Sequence, residues 1–177
     1  ATGPTVLTFN PGDLTKTFSV PVVGDLLDEV NETYFVNLTS PTNATIADNQ
    51  GLGTINDDDA QPTLSINDVA VTEGNAGPVV VGFTVTLSAA SGQTVTVSAA
   101  TANNTAIAPG DYTAVGATTL TFNPGVTTQS FNVNALGDTL DEVNETFFVN
   151  LSSATNASIT DNQGIGTITD DDAPPTL

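Results

Sequence analysis

Three consecutive aspartates, Asp170, Asp171 and Asp172, end a strand-like run just before Ala173-Pro174-Pro175. The same triplet stands earlier in the chain as Asp57, Asp58 and Asp59. Carboxylates are hard oxygen ligands, and calcium takes about six to eight oxygens at roughly 2.3–2.6 Å. Neighbouring side chains of a regular strand point to opposite faces. Three adjacent aspartates can therefore converge on one ion only where a strand ends and the backbone bends. Clustering carries an electrostatic cost as well. Two like charges about 4 Å apart repel by about 1 kcal/mol in water and about 4 kcal/mol at an intermediate dielectric. Several such carboxylates destabilise an empty site, and a dication reverses the sign. The bland alternative is a solvated acidic linker that only keeps the chain soluble.

Other chemistries are restricted by what is missing. The chain has no Cys and no His, and its one basic residue is Lys16. Disulfides, thiolate nucleophiles and zinc–cysteine clusters are excluded. So is any nucleophile activated by a histidine base. A Ser–Lys pair would have to use Lys16, and a carboxylate pair of the glycosidase kind stays formally open. We expect no enzyme. The formal net charge of −19 on 177 residues disfavours nucleic acids and anionic membrane surfaces, which are bound through basic side chains. No apolar run is long enough to insert into a bilayer, and no signal peptide is present. The chain opens on Ala1, so we expect any targeting segment to lie outside it.

The elements that must position these acids are strands. Val81, Phe83, Val85 and Leu87 alternate with Gly82, Thr84 and Thr86. Val95 and Val97 alternate with Thr and Ser. Leu120 and Phe122 precede an Asn-Pro-Gly turn, and Phe131, Val133 and Ala135 follow it. Phe147, Val149 and Leu151 alternate with Phe148 and Asn150, and Ile165 and Ile168 sit among glycines. Such short alternating runs between Gly, Pro and Asn turns predict an all-β sandwich. Residues 101–110 form the longest predicted loop. Phe148 and its counterpart Phe35 are predicted to face away from Phe147 and Tyr34, and we expect them to pack in the core. Asn-X-Ser/Thr triplets begin at Asn31, Asn37, Asn43, Asn103, Asn144, Asn150 and Asn156. We expect these to be residues of polar strand faces rather than glycosylation sites.

Residues 1–64 align without a gap on 114–177, an offset of 113 residues, with 44 of the 64 pairs identical. Leu7-Thr8-Phe9-Asn10-Pro11-Gly12 recurs at Leu120–Gly125, and Asp28-Glu29-Val30-Asn31-Glu32-Thr33 recurs at Asp141–Thr146. Lys16 does not recur, since Gln129 takes its place. A period this long is a domain rather than a solenoid unit. The chain therefore divides into 1–60, the second half of one repeat, 61–172, a complete repeat, and 173–177, the start of a linker. We expect residues 1–60 to form an open half-sandwich completed from outside this stretch, by further chain or by a neighbouring subunit.

The ordered motifs Thr72-Glu73-Gly74, Gly110-Asp111-Tyr112, Gly137-Asp138 with Asp141-Glu142, Glu145–Leu151, and Gly166-Thr167-Ile168 leading into Asp170–Asp172 resemble the Calx-beta family. The resemblance implies an immunoglobulin-like antiparallel sandwich of seven strands in a tandem array, with calcium held by loops at one end. Carried over by position, it implies Glu73, Asp111, Asp138, Glu142, Asp170, Asp171 and Asp172 as calcium ligands. In the first half-repeat it implies the partial set Asp25, Glu29, Asp57, Asp58 and Asp59. Family members often carry two adjacent acids where this chain has Gly137-Asp138, which implies fewer ions here than the richest members hold. The expected role is a calcium-binding structural module of an extracellular or cell-surface stalk, adhesin or fibre. Its partners would be neighbouring repeats or identical subunits, and calcium would stiffen domain ends and junctions. The alternative is a calcium-sensing regulatory or accessory module of a larger secreted enzyme or glycan-binding adhesin.

Overall fold

A computed structural model describes residues 3–176. Ala1 and Leu177, the outer ends of the sequence repeat, lie outside the described residues. The chain divides into two compact units, one formed by residues up to 26 with 33–55 and the other by residues 27–32 with those from 56 onward.

The second unit is a sandwich of two five-stranded sheets. In chain order its strands are β3 (Thr63–Ile66), β4 (Val69–Thr72), β5 (Gly77–Leu87), β6 (Val95–Asn103), β7 (Tyr112–Thr113), β8 (Thr118–Phe122), β9 (Thr128–Gly137), β10 (Glu145–Thr155), β11 (Ser158–Ile159) and β12 (Gln163–Thr169). One sheet runs β4-β12-β10-β6-β8 and the other β11-β3-β5-β9-β7. The alternating residues read from the sequence meet between the sheets. Val81, Phe83, Val85, Leu87, Val95, Val97, Phe122, Phe131, Val133, Ala135, Phe147, Val149 and Leu151 are all buried. Every residue of this core lies between Leu64 and Ile168, so the second unit carries its own hydrophobic driving force. At the centre Tyr112 stacks on Phe147 with centroids 4.5 Å apart, and Phe83 meets Phe147 edge-on at 5.9 Å. The Phe147 ring lies over Gly166, where a Cβ would come within 2.4 Å of it.

The sandwich is as expected, and four details differ. Ten strand segments form where seven were expected. The opening strand changes sheets at Asn67-Asp68, so that β3 pairs with β5 and β4 pairs with β12. Asn67 Oδ1 accepts the Thr84 N–H at 2.6 Å and Asp68 Oδ1 accepts the Ile165 N–H at 2.7 Å, which ties the crossover to both sheets. The sandwich is also not wholly antiparallel, because the edge pairs β4–β12 and β11–β3 are parallel. Strand β6 continues through Asn103, so the long loop begins at Asn104 rather than at Thr101. Core packing fails for Phe148, which is only half-buried, and for Phe35, which is 58% exposed. Phe148 lies on the outer face, as strand alternation beside a buried Phe147 requires, and Phe35 lies at the open groove of the first unit.

The first unit holds β1 (Glu32–Asn37) and β2 (Gln50–Ile55), which pair as a two-stranded sheet. Leu7, Phe18, Val20, Tyr34, Val36 and Ile55 line an open groove here. Their repeat counterparts Leu120, Phe131, Val133, Phe147, Val149 and Ile168 are buried in the second unit's core. Local features nevertheless recur. Asn10-Pro11-Gly12 and Asn123-Pro124-Gly125 are both turns closed by an i+3 N–H to the Asn carbonyl at 2.9 Å, with glycine φ of 94° and 83°. Proline followed by a positive-φ glycine is the type II pattern. Gly53 sits under Tyr34 as Gly166 sits under Phe147. Lys16 Nζ lies 2.7 Å from Asp13 Oδ2.

The asparagines of the Asn-X-Ser/Thr triplets largely have structural partners. Asn103 Oδ1 accepts from the Tyr112 hydroxyl at 2.6 Å, and Asn156 Nδ2 donates to Thr94 O at 2.9 Å. Asn31 and Asn144 each accept the backbone N–H of the first aspartate in the following triplet.

Candidate metal centre

The acidic residues at one end of the second unit's sandwich are delivered by strand termini. Glu73 follows β4, Asp111 precedes β7, Asp138 follows β9, Glu142 lies in the β9–β10 connection, and Asp170–Asp172 follow β12. Because β4 and β12 are parallel neighbours, with Thr72 opposite Thr169, their ends emerge together. That pairing places Glu73 beside the aspartate triplet, 97 residues on in sequence.

Glu73, Asp170 and Asp172 each offer a carboxylate oxygen, and the three atoms lie within 4.8 Å of one another. Among the described residues this is the one group of three potential ligands so close. Glu73 is only 5% exposed. Asp172 Oδ2 is buried without a hydrogen-bond partner. Its Oδ1 accepts from Asn75 Nδ2, and Asp171 Oδ1 accepts the Gly74 N–H at 3.1 Å. Asp170 Oδ1 accepts the Asp172 N–H at 3.4 Å. The strand therefore bends as the triplet requires. Asp170 and Asp172 turn inward, and Asp171 caps the Glu73-Gly74 turn.

Burial and mutual repulsion act on the same groups. Desolvation, followed by the charges of Asp170, Glu142 and Asp138, pushes the Glu73 carboxyl up from 4.5 to about 7. Desolvation, then Asp138, Asp111, Asp170 and Asp172, raises Glu142. Asp172 is raised by desolvation and by Asp170, Asp171 and Asp138, against the lowering effect of Asn75. Asp138 and Glu142 thus lie within electrostatic range of the tight trio without joining it, and Asp111 acts on Glu142 in turn. Asp111 Oδ2 accepts the Ile107 N–H at 2.6 Å, and Asp138 Oδ1 accepts the Leu140 N–H at 2.7 Å.

Sequence reasoning missed two participants. Glu145 was read only as a strand residue. Desolvation, a hydrogen bond shared with Asp111 and that residue's charge raise it to about 7. Its position three residues after Glu142, at the start of β10, was the available signal. Asn75 carries no charge, and nothing in its spacing marked it. The structure also explains Gly137, where a second acid was absent. A Cβ there would come within 2.0 Å of Gly74 O and 2.5 Å of Glu73 O, so any side chain would displace the Glu73 turn.

In the first half-repeat, Asp25 lies in the first unit while Glu29, Asp57, Asp58 and Asp59 belong to the second. No trio of comparable tightness forms around Asp57, Asp58 and Asp59 or around Glu29 among the described residues.

A family model described as the Calx-beta domain matches residues 1–59 and again 56–172. Comparison with curated protein sequences finds no match. Among solved structures, the apo-form Calx CBD1 domain is 23% identical with a TM-score of 0.55, over 64% of this chain and 100% of that one. CBD12 from CALX1.2 is 22% identical with a TM-score of 0.57, over 62% of this chain and 46% of that one. The calcium binding domain CBD12 of CALX1.1 is 25% identical with a TM-score of 0.54, again over 62% and 46%. Two successive family matches and a sandwich shared with these domains lead to one assignment: the chain belongs to the Calx-beta domain family.

Proposed function

We propose that the complete repeat, residues 61–172, binds calcium through Glu73, Asp170 and Asp172, with Asp111, Asp138 and Glu142 around them. The observation that carries this reading is the buried, unpartnered Asp172 Oδ2 within a trio of carboxylates. The only basic side chain of the whole sequence is Lys16, which pairs with Asp13. No protein cation in the second unit can neutralise the trio, and uncompensated buried charge is costly. An all-oxygen donor set suits a hard dication. Calcium binding by the solved relative named as a calcium binding domain supports the same choice.

The test is calorimetric titration of the chain with calcium, together with thermal unfolding in calcium and in chelator. Calcium at 100 times its dissociation constant should add about 2.7 kcal/mol. Asp172→Asn and Glu142→Ala should each remove most of the gain, whereas Asp161→Ala, at the β11–β12 turn, should leave it. An unfolding temperature equal in chelator and in millimolar calcium would sink the reading.

At the scale of the array, the module would be part of an extracellular stalk, adhesin or fibre without catalytic activity. Residues 1–60 would be the second half of a repeat, and residues 173–177 would open a linker. The gapless repeat, the acidic surface and the short proline-containing junctions support this. Small-angle scattering on a chain lengthened by further repeats tests the stiffening role. Calcium should raise the radius of gyration, and an unchanged value would refute stiffening while leaving ion binding standing.

A further inference from the structure

One loop of this chain occurs twice, docked once and bare once. Residues 27–32 come from the first half-repeat in sequence but cluster with the second unit. Asp28 is 8% exposed and bridges to Ser91 in the β5–β6 turn. Its carbonyl accepts the Gly92 N–H at 3.1 Å and the Ser91 hydroxyl at 3.2 Å. Its carboxylate Oδ2 accepts from Gln93 Nε2 at 3.1 Å and faces the Ser91 hydroxyl at 3.5 Å. Ser91 Oγ in turn accepts the Gln93 N–H at 3.0 Å, which fixes the turn's shape. Glu29 lies flat on Gly92, where a Cβ would meet its Cγ at 2.7 Å. A serine, a glycine and a glutamine thus form a socket that fits Asp-Glu in this pose.

The repeat carries the same plug at Asp141-Glu142-Val143-Asn144-Glu145, identical to Asp28-Glu29-Val30-Asn31-Glu32. Both loops are anchored alike. Asn31 Oδ1 accepts the Asp57 N–H at 2.9 Å, and Asn144 Oδ1 accepts the Asp170 N–H at 3.2 Å. The environment differs. Asp141 is exposed where Asp28 is buried, and Leu140 is 62% exposed where Leu27 is half-buried, while Val143 and its counterpart Val30 are exposed in both loops. The segments leading away also match, Asp57-Asp58-Asp59-Ala60-Gln61-Pro62-Thr63 against Asp170-Asp171-Asp172-Ala173-Pro174-Pro175-Thr176.

We propose that the Asp141-Glu142 loop is the docking plug for the Ser-Gly-Gln turn of a second copy of this repeat placed in series. Asp28 and Ser91 are 63 residues apart, so the partner serine would lie 63 residues beyond Asp141. This deepens the array part of the function proposed above and does not depend on ion binding. Buried charge-assisted hydrogen bonds then set the register between successive repeats.

Disulfide trapping tests it, and the absence of native cysteine makes the readout clean. A second copy of residues 61–177 is joined after Ala173. Asp141→Cys is combined with Ser→Cys at the added copy's equivalent of position 91. The chain is oxidised with glutathione disulfide in chelator, and closure is read by non-reducing gel mobility. Asp28→Cys with Ser91→Cys in the original chain is the reference pair, and Asp161→Cys with the added copy's cysteine is the background. We expect the Asp141 pair to close to the same extent as the reference and well above background. Closure of the reference with the Asp141 pair at background overturns the proposal. So does failure of the reference pair, since the docked loop on which it rests would then be absent. Because chelator is present throughout, neither outcome can be mistaken for a failure of calcium binding.

Discussion

At Glu73, burial and charge act together on a carboxyl of the tight trio. Its carboxyl is raised from 4.5 to about 7, first by desolvation and then by the charges of Asp170, Glu142 and Asp138. A raised acid binds its proton more readily in the folded state than in the unfolded one. Its contribution to stability is thus full below about 4.5 and is lost as pH rises through about 7. In chelator, the unfolding temperature should fall across that window. Calcium should oppose the fall, because the ion needs the deprotonated ligands, and its affinity should weaken as pH drops below about 7. A chelator melting curve that does not change between pH 5 and pH 8 would contradict this. Glu73→Gln removes the charge and keeps the shape. Above about pH 7 it should raise stability in chelator by relieving the buried charge, by on the order of 1–2 kcal/mol because the buried amide still carries its own desolvation cost, and it should abolish most of the calcium gain. Loss of stability in both conditions would point to a packing role instead.

Strand ends, rather than strands, carry the site, and glycine decides how closely they approach. The end of β9 lies against the Glu73-Gly74 turn, with a notional Cβ at Gly137 only 2.0 Å from a backbone oxygen. Gly137→Ala therefore forces backbone apart. It should cost about 1–3 kcal/mol or more and weaken calcium binding together with stability, as denaturant unfolding and calcium titration would show. Gly166→Ala meets the Phe147 ring at 2.4 Å. It should destabilise by a similar amount while calcium affinity per folded molecule stays the same, because it lies in the strand and not at its end. Equal effects of the two substitutions on affinity would defeat the distinction. The Asn67-Asp68 crossover is held by two side-chain acceptors. Asn67→Ala removes the acceptor of the exposed Thr84 N–H and should cost about 0.5–1.5 kcal/mol.

The molecule contains one sequence pattern in two packing states. Leu120, Phe131, Val133, Phe147 and Val149 are buried in the second unit, while Leu7, Phe18, Val20, Tyr34 and Val36 line an open groove in the first. Hydrogen exchange should report this directly. Amides of β1 and β2 should exchange much faster than those of β10 and β12, because local stability follows buried apolar contact. Placing a copy of residues 61–113 ahead of the first residue would give the first unit the strands that precede the matching residues of the second. It should slow β1 and β2 exchange towards the β10 and β12 rates. Equal protection in the chain as it stands would show that the first unit needs no such complement.

The sequence by itself determined the longer strands, their inward faces and the repeat, because alternation with period two and gapless identity are local and additive. It also marked the Asp170–Asp172 triplet, since acids at a strand end have few structural roles. Which acids meet was decided by the tertiary structure. Parallel pairing of β4 with β12 brought Glu73 to Asp170 and Asp172, while Asp138 and Glu142 act on them by charge without joining the trio. The split of the opening strand, the outward position of Phe148, the roles of Glu145 and Asn75, and the need for glycine at 137 depend on neighbours that are distant in sequence. So does the contrast between Asp28, which is buried, and Asp141, which is exposed in an identical local sequence. Local sequence cannot encode that difference, because burial is set by what another segment brings to the same place.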